Sequence, residues 1–149
     1  MDDPDSTAMD AEERDERLGT GGTGVIAFAG SHTDPPHAVP VSYGYDEGDA
    51  TFYFRLAVGS DSEKAAVVDN PVTFVTYGQA DGAWWSVVAR GRLQGTTDEA
   101  VAMDALEGLR RVHIPLVDIF GRPPKDVPFE FYRLAADEVT ARTESRTGV

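Results

Sequence analysis

A serine-rich turn that ends in a lysine is the stretch of this sequence best equipped for chemistry. Gly59-Ser60-Asp61-Ser62-Glu63-Lys64 follows the run Phe52-Tyr53-Phe54-Arg55-Leu56-Ala57-Val58. The order of residue types predicts a strand, a glycine turn and the first turn of a helix. Helix N-termini carry unpaired N–H groups and the positive end of the helix dipole, so they receive phosphates well. The hydroxyls of Ser60 and Ser62 add donors there, and the Lys64 ammonium adds a point charge. The same residues also fit a plainer arrangement, with a serine capping the helix and Lys64 in solvent.

Trp84-Trp85-Ser86-Val87-Val88 is the second informative run. Side chains alternate along a strand, so one of the paired tryptophans faces in and the other out. A ring left in water invites a ligand or another subunit, or else both rings belong to one core and its rim. Other patterns carry less. Gly19-Thr20-Gly21-Gly22-Thr23-Gly24 matches G-x-G-x-x-G, but the dinucleotide fingerprint needs a strand before it and a helix after it. Here a strand follows, which predicts a flexible turn. His32, His37 and His113 stand alone, without the spacing of a metal site. Ser42, Ser62 and Ser86 lack the G-x-S-x-G setting of a hydrolase nucleophile.

The elements that would position these residues are mostly strands. Gly24–Ala29, His37–Gly44, Ala50–Leu56, Val72–Tyr77, Trp84–Leu93 and Phe129–Leu134 are short apolar or alternating runs bounded by turn residues. Pro40 within the second implies an edge, a bulge or an interrupted ladder. A helix is expected over Asp61–Asp69, closed by Asn70-Pro71, and another over Thr97–Arg111, acidic at its start and basic at its end. The expected class is mainly β with peripheral helices, a small barrel. Residues 1–17 form an acidic tail or helix, 18–139 the domain, and 140–149 a second loose end.

Length and composition bound the function. With 149 residues the chain is most simply one domain. It has no cysteine, hence no thiolate metal site and no cysteine nucleophile. No run approaches a membrane span, and the acidic start is unlike a signal peptide, so a cytoplasmic protein is expected. A net charge of -13 argues against a nucleic-acid partner. Two lysines against 26 acids read as adaptation to a salt-rich cytoplasm, where screening removes the self-repulsion, with an ordinary acidic protein as the alternative.

In this order the segments resemble the pyridoxamine 5'-phosphate oxidase-like proteins with the FMN-binding split β-barrel fold. The carriers are Gly24-Val25-Ile26-Ala27-Phe28, Ala38 to Asp46, Phe52-Tyr53-Phe54, Ser62-Glu63-Lys64, Asp69-Asn70-Pro71 and Trp85 to Gly91, within a resemblance spanning Leu18 to Glu144. The resemblance implies a homodimer with FMN at the subunit interface and a flavin-dependent oxidoreductase. A deazaflavin cofactor, or a non-catalytic flavin- or haem-binding module, is the alternative. By position, Val39, Pro40, Val41 and Ser42 would lie along the flavin, and Tyr53 and Phe54 would flank it. Ser62 and Lys64 would hold the phosphate, and Trp85 and Ser86 would approach from the second subunit. Glu63 stands where relatives often have an arginine, so Arg55 is a candidate to supply the missing cation. Arg55 itself stands where nitroimidazole-reducing relatives carry a histidine. The C-terminal arginine and histidine pattern that holds substrate in true pyridoxamine phosphate oxidases is not found. Neither substrate nor catalytic acid or base is therefore assigned.

Overall fold

Along Pro71–Ala80 the side chains of Val72, Phe74 and Thr76 are buried while their neighbours are not, the two-residue period of a strand with one face in a core. The computed structural model of the chain describes residues 6–30, 33–57, 70–96, 102–115 and 129–144. These form β1 (Ser6–Ala8), α1 (Ala11–Leu18), β2 (Gly21–Phe28), β3 (His37–Asp46), β4 (Thr51–Ala57), β5 (Pro71–Ala80), β6 (Ala83–Gly95), α2 (Ala102–Arg111) and β7 (Phe129–Glu144).

Every strand pairing is antiparallel, in the order β1-β7-β4-β3-β2-β5-β6, and a further β6–β7 pairing closes the ring. The result is a closed barrel of β2 to β7, with β1 laid against the far end of β7. Inside it Phe74 sits 4.8 Å from Phe54 and 5.2 Å from Tyr43 between ring centroids, both edge-to-face. Ile26, Phe52, Val87, Ala89, Leu93 and Leu134 complete the buried interior. Such aromatic contacts add to the hydrophobic burial that holds a small barrel shut.

All of the expected strands are present, with two differences. Gly21–Gly24 belongs to β2 and is not a loose turn. Glycine is required there by close approach: a Cβ on Gly21 would lie 1.7 Å from the His113 carbonyl oxygen, and one on Gly24 would lie 2.5 Å from that of Val75. β7 runs through Glu144, past the expected boundary at 139, because its second half is paired to β6 on one side and β1 on the other. Of the two forms expected for the acidic N-terminal segment, tail or helix, residues Ala11–Leu18 take the helix, α1. Asp10 caps it by accepting from the Glu13 N–H at 2.8 Å, and Leu18 at its end enters the barrel core. The expected helix over Asp61–Asp69 lies outside the described residues, as does the start of the one expected at Thr97.

The β5–β6 hairpin turns on Asp81-Gly82, with φ of 54° and 79°. That is the left-handed pair of a tight type I′ hairpin, which fixes register across the two strands. Among the described residues no helix is long and apolar enough to cross a membrane.

Candidate functional site

Alternation along β3 sends Val41, Tyr43 and Tyr45 into the core and turns Ser42, Gly44 and Asp46 to the outer face. That face is covered by α2 and the segment after it. Val112 and Ile114 come so close to Gly44 that a Cβ there would lie 2.6 Å from Val112 Cγ2. Arg111, at the end of α2, donates from Nε (3.0 Å) and Nη2 (2.7 Å) to the two oxygens of the buried Asp46 carboxylate. This bidentate pair fixes both position and angle of the helix end.

Ser42 lies beneath this cover. Its hydroxyl is buried and meets no hydrogen-bond partner among the described residues. Directly across on β4 is Arg55, and across from Arg55 on β7 is Phe131. Arg55 is only 8% exposed, and its Nη2 donates to the Pro115 carbonyl at 3.1 Å. Burial lowers its pKa, because a guanidinium loses hydration there. The row Ser42–Arg55–Phe131 thus combines a hydroxyl, a cation and an exposed ring. Chemically it suits a ligand with a hydrogen-bonding edge and some negative charge.

The other positions named from the sequence fall as follows. Val39 packs against the edge of the core, Pro40 is exposed on the outer face opposite Val25, and Val41 is interior. Tyr53 is buried on the outer face against Gly108 of α2, and burial raises the pKa of its phenol. Phe54 is wholly interior, its ring spent on the barrel core. Ser62 and Lys64 lie outside the described residues. In sequence they follow the end of β4.

On β6 the outward tryptophan is Trp84, 46% exposed, while Trp85 turns inward to the core rim beside Gly78. Ser86 shares the outer face with Trp84 and stands across from Tyr77. Within one chain β2 and β5 separate these residues from Ser42, so the fold does not bring the two groups together. Sequence reasoning missed Tyr77 and Phe131, both exposed rings. Their place in alternating strands was the available signal. Of the histidines, His37 is exposed at the start of β3, and His113 serves through its backbone. Among the described residues no three His, Cys, Asp or Glu are grouped to hold a metal.

A family model described as pyridoxamine 5'-phosphate oxidase matches residues 10–143. Similar solved structures include the FAD-binding protein from Mycobacterium smegmatis, with 23% identity, coverage of 95% of this chain and 100% of that one, and a TM-score of 0.67. A FAD-binding protein from Mesorhizobium loti shows 21% identity over 95% and 98% of the two chains, with a TM-score of 0.61. The FAD and haem binding protein from Mycobacterium smegmatis shows 13% identity over 97% and 77%, with a TM-score of 0.58. At these identities the likeness is one of fold. No curated protein sequence matches the chain.

Proposed function

The chain belongs to the pyridoxamine 5'-phosphate oxidase family, and from that premise we propose that it binds FMN at a homodimer interface and works as a flavin-dependent oxidoreductase. The observation that carries this reading is the buried Ser42 hydroxyl, which has no partner among the described residues and sits across from the desolvated Arg55. A buried polar group without a partner costs roughly 1–3 kcal/mol, so a ligand that supplies the missing hydrogen bond is favoured there. A flavin has the hydrogen-bonding edge and the flat apolar body that fit Ser42, Arg55 and Phe131.

The monophosphate of FMN matches the phosphate-suited sequence Ser60 to Lys64, which follows β4. FAD and a deazaflavin are the competing cofactors. When bound, the flavin would supply hydride or electron transfer. The chain's own part is to bind and orient it: Ser42 by a hydrogen bond, Arg55 by charge, Lys64 by a contact to the phosphate. Trp85 and Ser86 would come from the second subunit, since the fold keeps them away from Ser42 of their own chain. A binding module without turnover is the second reading, since no acid or base is assigned at Ser42 among the described residues.

The test is a titration of the flavin-free protein with FMN, FAD, riboflavin and a deazaflavin, followed by flavin fluorescence and thermal shift. FMN should bind tightest. Lys64→Ala removes a charge-assisted hydrogen bond worth about 1.5–3 kcal/mol, a ten- to hundredfold loss in FMN affinity. Riboflavin should lose less, and Lys125→Ala should leave FMN binding unchanged. A protein that binds none of the four would end the flavin reading. Equal losses for FMN and riboflavin would remove Lys64 from the phosphate site. Bound flavin that stays oxidised through many equivalents of NAD(P)H would favour the module over the enzyme.

A further inference from the structure

At the end of the barrel away from the Asp81-Gly82 hairpin, β2 leaves the sheet and β5 enters it, with Phe28 across from Val72. There Phe28, Pro36, Pro71 and Val72 form the apolar wall of a hollow of about 420 Å³. Arg90, Arg92 and Asp137 supply the charges of its lining. No residue of this hollow is shared with Ser42, Arg55, Trp85 or Ser86. On β6, Arg90 lies four residues beyond Ser86, roughly 13 Å along the strand.

Barrel closure puts the charges there. Alternation along β6 turns Arg90 and Arg92 to the outer face, about 7 Å apart along the strand, with the buried Gly91 between them. A Cβ on Gly91 would lie 2.0 Å from the Ala135 carbonyl oxygen, so glycine lets β7 come close at this level. The register then slips. Arg90 faces Glu138 while Gly91 faces Ala136, which leaves Asp137 as the extra residue of a β-bulge. Strict alternation from an outward Glu138 would send Asp137 into the barrel, where an unpaired carboxylate is costly. The bulge brings it out, exposed, to the hollow.

The kind of occupant follows from this set. Arg90 reaches the Glu138 carboxylate only at 3.9 Å, with the two side chains 54% and 62% exposed, and so loose a pair in water contributes little. The planar fork of a guanidinium suits a carboxylate held at two points, and Arg92 adds a second positive charge to the lining. Asp137 and Glu138 limit the guest to a single negative charge, since they repel a phosphate dianion more strongly. The apolar wall asks for a hydrophobic body. The volume falls near the lower end of the roughly 300–1,000 Å³ of ligand pockets, which suits a body of about one ring. We propose that this hollow binds a small apolar monocarboxylate, anchored by Arg90.

The experiment uses the full chain, with and without FMN, and three probes: benzoate, neutral benzamide of the same shape, and acetate, which has the charge without the ring. Binding is followed by calorimetry and ligand-detected NMR. Saturable binding of benzoate is expected, with benzamide and acetate each about tenfold weaker. Arg90→Gln should lower benzoate to the benzamide level, and Arg90→Lys, which keeps the charge but not the fork, should retain part of the preference. Glu138→Gln should tighten benzoate severalfold by removing the competing carboxylate. FMN affinity should be the same in all three variants, and benzoate affinity the same with FMN present, so failure here and failure of the flavin reading show separately. Equal binding of benzoate and benzamide, no saturable binding of benzoate, or an undiminished preference in Arg90→Gln would each overturn the proposal. So would competition between benzoate and FMN, or light scattering that shows benzoate excluded on self-association, since the hollow would then belong to the flavin-bearing interface.

Discussion

At the scale of single residues, Tyr45 ties the acidic helix to the barrel. Its phenol donates to the Asp15 carboxylate, which also takes Arg14 at 3.1 Å. Burial, then the hydrogen bond to Asp15, raises the phenol's pKa well above its ordinary value of about 10. The sign of the linkage follows. The folded protein keeps a proton that the unfolded chain releases, so this contribution is complete below about pH 10 and fades as pH climbs towards the folded pKa. Tyr45→Phe should cost about 1.5 kcal/mol at neutral pH by removing a hydrogen bond to a charged group. It should also flatten the alkaline decline above pH 10, as measured by urea unfolding across pH. An alkaline limb as steep as the parent's would place the titrating group elsewhere. Ser42 makes the opposite case, since its hydroxyl has no partner to lose among the described residues. Ser42→Ala should leave the flavin-free protein equally stable or stabler by up to about 1 kcal/mol, yet weaken flavin binding severalfold. Thermal melts with and without FMN would show it. A large loss of stability without ligand would mean that Ser42 has a structural partner.

At the scale of elements, what the sequence made legible was period. The alternation of Val72, Phe74 and Thr76 and the aromatic run Phe52-Tyr53-Phe54 mark strands without any knowledge of their partners, because side-chain direction is a local property. Pairing is not local. That β7 continues to Glu144 depends on β6 and β1 lying on either side of it, and no feature within Thr140–Glu144 announces that. The glycines of β2 misled for a related reason. Gly21 and Gly24 read as flexibility in isolation, yet each is demanded by a backbone carbonyl from a distant segment. The paired tryptophans were legible as one in and one out, but which is which rested on register, and register rested on the Asp81-Gly82 turn. Gly108 in α2 belongs to the same class. A Cβ there would lie 2.0 Å from the hydroxyl of Tyr53, itself 1% exposed on the outer face of β4. Alanine in a helix gains about 1 kcal/mol over glycine, while overpacking costs about 1–3 kcal/mol. Gly108→Ala should therefore be net destabilising in chemical denaturation, and in a Tyr53→Ala background the same change should turn stabilising. A stabilising effect in both backgrounds would refute the close docking of α2 on Tyr53.

At the scale of the whole molecule, charge is the dominant fact. Lys and Arg number 13 against 26 Asp and Glu, so even complete pairing would leave half the acids without a basic partner. The pairs seen are mostly at the surface: Arg17 with Asp81 at 3.2 Å, and Arg90 with Glu138 at 3.9 Å. Such exposed pairs contribute about 0–1 kcal/mol each and cannot offset the repulsion of the remainder. Folding concentrates that excess on one small surface, whereas unfolding spreads it, so repulsion weighs against the native state. Salt relieves it. The screening length falls from about 10 Å at 0.1 M to about 3 Å at 1 M. Stability should rise steeply over that range and level off beyond it, as screening becomes complete. A gain of 1–2 kcal/mol would raise Tm by roughly 2–8 °C in a chain of this size. NaCl and KCl should act alike, since screening depends on ionic strength and not on the identity of the cation. A melting temperature that is flat in both chlorides and rises only with sulfate would point to surface exclusion of the salt in place of charge screening. The acidic composition would then be an incidental trait, and adaptation to a salt-rich cytoplasm would lose its physical basis.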